Sequence, residues 1–233
     1  MELRTQIKKL SLWIFIIPFV AINLCLFISV NYAIFENTFL SVDQIGRSGN
    51  TFPYFDGGVS ISRTARTYPT YLIFKPSMIF ASILLIIYWI KTNKLINFYQ
   101  SIENKNNLFK TFGILSAAFL IIHSILLGIK FDYDLYKFFR RFVLLGFIIF
   151  EIVAQSLLVY RLFKLKSLIF NDINNYALVL KIILVTILVI VAIASFPIVV
   201  TSGNVHFKHA LEWNYFVGVI LFYLLTFLFW KKN

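Results

Sequence analysis

The chain has 233 residues, 60% hydrophobic and only 14% charged, with a formal net charge of +12. Soluble domains are near half apolar and a quarter charged, so this balance points to a polytopic membrane protein and excludes an ordinary soluble domain. The basic residues lie between apolar runs, which favours membrane topology and anionic headgroups over nucleic acid as their purpose. A single cysteine, Cys25, excludes an internal disulfide and a cysteine-based metal site.

Six apolar runs are long enough to cross a hydrocarbon core of ~30 Å, which takes about 20 residues of helix. They predict spans at residues 11–33, 71–90, 111–129, 142–162, 178–200 and 211–230. Only helices satisfy their own backbone in lipid at these lengths, so the predicted fold is all-α. It is a polytopic bundle of six transmembrane helices forming one domain over residues 1–233. Arg4, Lys8 and Lys9 ahead of the first run resemble a signal peptide. The run is too long for a cleaved apolar core and no small-x-small site closes it, so it reads as a retained first span.

Orientation follows from Lys and Arg. With the N-terminus inside, 13 of the 22 basic residues fall on the cytoplasmic side and 9 outside. Both termini are therefore expected in the cytoplasm and the long first loop, 35–70, outside or in a lumen. The turns 130–141 and 201–210 join it there, and 92–110 and 161–176 face the cytoplasm. Residues 161–170 mix basic and apolar side chains, which fits either an interfacial helix or an ordinary basic loop.

The first loop holds the largest polar stretch of the chain. Residues 52–71 carry Asp56-Gly57-Gly58, the hydroxyls of Ser60, Ser62 and Thr64, and Arg63 and Arg66, with Lys75 entering the second span. Asp-Gly-Gly is turn chemistry, and arginine forks bind phosphate bidentately. Two readings stand: a cap that grips a lipid phosphate or glycan, or a loop tied down by Arg–Asp pairs.

Within the spans, Glu151 is the polar residue of greatest interest, with Gln155 four residues on and hence on the same helix face. A carboxyl group at mid-bilayer is either paired inside the bundle or part of a proton, cation or headgroup site. His123 in the third span is a packed side chain or a group just beneath the outer face. Ahead of the sixth span, His206, His209 and Trp213 share one side of a helix that begins by His206, and Glu212 follows His209 at spacing three. Two histidines and a carboxylate are the elements of a zinc site or an acid–base pair; the same residues also suit the aromatic belt at headgroup depth. Phosphate-binding glycine loops, nucleophile elbows and Cys-x-x-Cys motifs are absent from the sequence.

Two segments carry a resemblance. Phe52-Pro53-Tyr54, then Ile61-Ser62-Arg63-Thr64-Ala65, then Tyr68-Pro69-Thr70-Tyr71-Leu72-Ile73-Phe74 resemble the first-loop signature of the DRAM/Frag/Sfk family. His209-Ala210-Leu211-Glu212-Trp213, followed by Leu224-Leu225-Thr226-Phe227, is similar to that family's Glu-Trp start of the last span. The family includes autophagy modulators, a Golgi factor for remodelling GPI-anchor lipid and the membrane domain of a related cell-wall protein. The resemblance implies a six-span bundle that handles or organises lipid, and transfers no catalytic residue. This chain departs from the family pattern at Asp56-Gly57-Gly58-Val59 and at Arg63.

Three functions are therefore open. The first is a non-enzymatic or accessory lipid protein, holding a phospholipid or GPI-type headgroup with Ser60, Ser62, Arg63, Arg66, Lys75, His206, His209, Glu212 and Trp213. The second is an intramembrane lipid hydrolase or acyltransferase built on His206, His209 and Glu212 with Asp56. The third is a small transporter centred on Glu151, with Gln155 and His123 as the other intramembrane polar groups. Membrane lipids are the expected partners, a second membrane protein is a further candidate, and no nucleic acid, cofactor or metal is expected.

Overall fold

The computed structural model describes residues 2–99, 107–129, 134–201 and 203–231. Its long helices are α1 (Glu2–Val30), α3 (Tyr71–Tyr99), α4 (Leu108–Leu126), α5 (Asp134–Lys164), α6 (Asn175–Val200) and α7 (Val205–Phe229), with a short α2 (Ile61–Ala65) in the first loop. Among the described residues, six helices are long and apolar enough to cross a membrane, as an integral multi-pass protein requires. The predicted spans fall inside these helices with small offsets, except that the helices run further at several ends. Hydrophobicity marks the membrane core, whereas helix geometry continues into any flank without a breaker. Thus α3 passes Lys91 to Tyr99, burying Thr92 and Asn93, and α7 starts six residues ahead of the apolar run. Positive φ angles at Gly203 and Asn204 set that start.

The helices pack in chain order around a ring: α1 on α3, α3 on α4, α4 on α5, α5 on α6, α6 on α7, and α7 back on α1. Both chain ends lie at one end of this ring. Lys8 Nζ donates to Trp230 O at 2.7 Å, Arg4 pairs with Asp172, and Tyr99 Oη donates to Asp172 Oδ2 at 2.8 Å. The first loop and the other two turns lie at the opposite end, called here the loop end. Lys105, Lys130 and Lys232, which enter the charge reading, lie outside the described residues, as does 130–133 of the α4–α5 turn.

One open reading closes and one sequence expectation changes here. Residues 161–170 do not form an interfacial helix: α5 runs to Lys164, and turns carry Leu165, Ile169 and Ile173 into the bundle end, where they are buried. The bundle can bury those three apolar side chains, so they have no need of the membrane surface. Lys181, counted above with the cytoplasmic charges, lies inside α6 and is completely buried. Its Nζ stands 4.0 Å from the centre of the Phe222 ring and has no hydrogen-bond partner among the described residues.

The core of the terminal half is a layer of rings: Tyr88, Trp89, Phe109, Phe222, Tyr223 and Phe229. Gly113 makes this layer possible, since a Cβ there would stand 2.3 Å from Trp89 Cδ2. We expect Gly113→Ala to destabilise the bundle by roughly 1–3 kcal/mol, as overpacking a filled core does. Thermal unfolding in detergent measures this, and an unshifted midpoint would contradict the ring packing.

Candidate functional site

Loop residues in a membrane protein need partners for their backbone groups as much as buried ones do elsewhere. At the loop end α7 supplies them. His209 Nδ1 lies 3.0 Å from Gly57 O, Trp213 Nε1 donates to Val59 O at 2.9 Å, and Asn214 Nδ2 donates to Tyr54 O at 2.8 Å. The Glu212 carboxylate faces the backbone N–H groups of Ser62 and Ile61, at the start of α2. Ser60 caps the same helix end by accepting from Arg63 N at 3.1 Å. From the other side, Tyr54 Oη donates to Asn23 Oδ1 on α1 at 2.9 Å. The loop is thus laced between α1 and α7.

Gly57 shows how close the two segments come. Its φ is +59°, and a Cβ would stand 1.7 Å from His206 O. Asp56 builds the turn that precedes it, accepting from Thr51 Oγ1 at 2.6 Å, Phe52 N at 2.7 Å and Gly58 N at 2.8 Å. The Thr51 hydroxyl, then the Gly58 and Phe52 amides, hold the Asp56 carboxyl below the usual carboxylate range.

The sequence-predicted residues therefore separate into groups. Asp56, Ser60, His209, Glu212 and Trp213 come together, with their polar atoms engaged in folding the loop onto α7. Ser62 is half-buried within hydroxyl distance of Ser60, at 3.3 Å, while Arg63 and His206 are exposed. Lys75 donates to Ile125 O at 3.4 Å, at the C-terminal end of α4, where a cation suits the helix dipole. No three His, Cys, Asp or Glu side chains among the described residues are grouped to hold a metal ion.

Arg66 points elsewhere. It lines a recess of about 600 Å³ with Asp43, Thr67, Tyr68, Tyr71 and, from across the ring, Arg140. Gly128 lines it too: its φ is +85°, and a Cβ there would stand 2.8 Å from Arg66 O. Burial, then the neighbouring charges of Arg140 and Arg63, push Arg66 below the ordinary guanidinium range. Neither Arg66 nor Arg140 forms an ion pair with a carboxylate among the described residues, whereas Arg47, also in this loop, pairs with Glu36 at 3.4 Å. In the sequence, Arg140 counts only toward topology, Tyr71 takes part only in the family resemblance and the start of the second span, and Gly128 has no assigned part. The available signal was an Arg-Arg pair at the mouth of a span, where lipid headgroups lie.

Beneath the loop end, a cavity of about 80 Å³ lies inside the ring. Phe74, Met78, Leu144 and Phe147 are among its walls, and Glu212, His123, Glu151, Tyr215 and Tyr223 are its titratable side chains. Glu151 is fully buried and accepts from Ser116 Oγ, from Tyr223 Oη and, at 3.0 Å, from Gln155 Nε2, which also donates to Val219 O at 3.1 Å. Those five residues join α4, α5 and α7. His123 is 6% exposed, and its Nδ1 has no partner among the described residues.

Comparison with known proteins finds no matching family model, no matching curated protein and no matching solved structure.

The sign of the Asp56 effect is fixed by its lowered value. A carboxyl depressed on folding contributes stability above its unfolded range and loses it as pH falls through the folded value. We expect the Phe52 and Gly58 amides to be protected from hydrogen exchange at neutral pH and released in acid. Asp56→Asn should release them already at neutral pH. Equal exchange in the two proteins would contradict the assigned role.

Proposed function

We propose that this integral membrane protein holds the phosphate-bearing headgroup of an anionic phospholipid or GPI-type glycolipid at its outer or lumenal face, as an accessory to lipid remodelling. The observation that carries this reading is the recess between Arg66 and Arg140. Two guanidinium groups face one space of ligand size with no carboxylate ion pair among the described residues. Asp43 also lines it, so a net positive charge remains for an anion. Tyr68 and Tyr71 suit headgroup depth, where amphipathic rings collect.

The excess of Lys and Arg on the terminal side supports a cytoplasmic location for both termini and an outer location for the recess. The resemblance to the DRAM/Frag/Sfk family supports a lipid-handling role on independent grounds, through the motifs of the two segments that meet at the loop end.

The hydrolase or acyltransferase reading has less support. His206 is exposed, His209 is directed at Gly57 O, and Glu212 at the amides of α2, so the three do not line up as an acid–base relay. The transporter reading keeps one feature, the Glu151 carboxyl on a cavity, but that carboxyl already accepts three hydrogen bonds, from Ser116 on α4, Tyr223 on α7 and Gln155 on its own helix.

The test is lipid retention by detergent-purified protein, read by native mass spectrometry. A hydrogen bond to a charged group contributes ~1.5–3 kcal/mol, so removing both guanidinium groups should lower phosphatidate retention by about tenfold or more. Arg66→Ala with Arg140→Ala is the variant; Arg47→Ala, which breaks a paired arginine in the same loop, is the control. Equal loss from both, or no loss from the pair, would sink the headgroup reading.

A further inference from the structure

The recess holds a third charge. Asp43 lines it together with Arg66 and Arg140. The Asp43 backbone is fixed: its N donates to Tyr68 O at 3.3 Å, and its O accepts from Gly46 N at 2.8 Å. The side chain is not. Asp43 stands at the N-cap of the 3₁₀ turn Gln44–Gly46, where an aspartate commonly accepts from the first amides, yet it makes no such bond. Arg47, the nearest arginine in the chain, is engaged with Glu36 at 3.4 Å and Val42 O at 3.2 Å instead. Among the described residues the Asp43 carboxylate has no ion pair and no hydrogen bond.

Three charges therefore share one space, and none is paired with another. A carboxylate present to neutralise the arginines would form a charge-assisted pair with one of them. Left apart from both, it offers a contact of opposite sign to whatever the arginines hold. Tyr68 and Tyr71 also line the recess, with ring centres 6.3 Å apart, and tyrosine faces attract cations; the Tyr71 ring already has Lys75 Nζ at 5.8 Å from its centre. The volume, about 600 Å³, leaves room for a phosphate and a substituent beyond it.

A phosphate alone satisfies the two arginines and leaves Asp43 unmatched. We propose that the recess selects a headgroup with a primary ammonium beside its phosphate, the phosphate held by Arg66 and Arg140 and the ammonium by Asp43. Phosphoserine, phosphoethanolamine and an inositol phosphate bearing glucosamine share this chemistry. Phosphoserine matches the charges one for one, two anions and a cation against two cations and an anion. This rests on the headgroup reading above and adds the second group that the lipid carries.

The probes are phosphatidylserine, N-acetyl-phosphatidylserine and phosphatidate with identical chains. They are offered as an equimolar mixture to the detergent-purified full chain and read by native mass spectrometry. Acetylation removes the ammonium and makes the headgroup more negative, so a merely cationic recess would favour the acetylated lipid. The proposed site favours the free amine by about tenfold, the scale of one hydrogen bond to a charged group. Equal retention, or a preference for the acetylated lipid, would overturn the proposal.

Asp43→Asn supplies a test of sign. Phosphatidylserine retention should fall by about tenfold, while phosphatidate retention holds or rises, because a like charge near the phosphate is gone. Asp43→Glu should keep the preference for the amine. A rise for both lipids, or an equal fall for both, contradicts the assignment of Asp43. The two readings fail separately. If phosphatidate retention depends on Arg66 and Arg140 but the amine makes no difference, the phosphate site stands and its ammonium partner falls. If the Arg66→Ala, Arg140→Ala variant retains all three lipids, both fall. Glycerophosphoserine, the same headgroup without chains, separates lipid from solute: it should displace phosphatidylserine only in large excess, and displacement at equal concentration would overturn a lipid as the source of the headgroup.

Discussion

The backbone of residues 54–62 has to be satisfied at the edge of a membrane, and the loop end is arranged around that requirement. No strand takes up these carbonyls. Three side chains of α7 do so instead, Asn214 at Tyr54, His209 at Gly57 and Trp213 at Val59, and Glu212 takes the amides at the start of α2. Unsatisfied backbone groups at this depth cost several kcal/mol each, so the lacing fixes where the loop lies. Gly57 is the closest approach, and a side chain there would collide with His206 O.

That lacing also positions the junction between α2 and α3. Once α2 is held against α7, Thr70 Oγ1 bonds Thr64 O at 2.6 Å and Asp43 N bonds Tyr68 O at 3.3 Å, which folds the loop's two halves together. Arg66 is left at the α2–α3 junction, facing α4 and α5 rather than α7. Arg140 meets it there because Gly128 lets the end of α4 approach the Arg66 backbone. His209 and Trp213 thus hold the cap shut on one flank, and Arg66 and Arg140 face open space on the other. A cap organised in this way can be rigid and still leave a charged recess, and rigid support is what a binding site needs from its surroundings.

Much of the fold was legible in the residues. Six apolar runs separated by basic, polar segments required six spans, and the only viable spanning geometry at that length is helical. Helix ends were less legible, because hydropathy reports lipid depth rather than where a helix stops; the Lys91-Thr92-Asn93 flank of α3 and the His206-bearing start of α7 are cases of this. The meeting of the first loop with the start of the last span was also anticipated, from polar residues that had few other places to go. What the sequence did not convey was which of those residues would be consumed in the joining. A histidine three positions from a glutamate suggests a reactive pair, yet His209 and Glu212 are directed at different stretches of loop backbone. Arg140 carried no local pattern, since its partner Arg66 is far away in the chain and comes near only through the ring order of α3, α4 and α5.

The central claim is that the laced loop holds Arg66 opposite Arg140 around a phosphate. It is tested most directly by an electron cryo-microscopy structure in nanodiscs containing phosphatidate, with an antibody fragment bound at the terminal end. The account expects the 54–62 backbone on α7 and phosphate-sized density between the two guanidinium groups. A loop detached from α7, or guanidinium groups paired with carboxylates of the chain and no lipid between them, would contradict it.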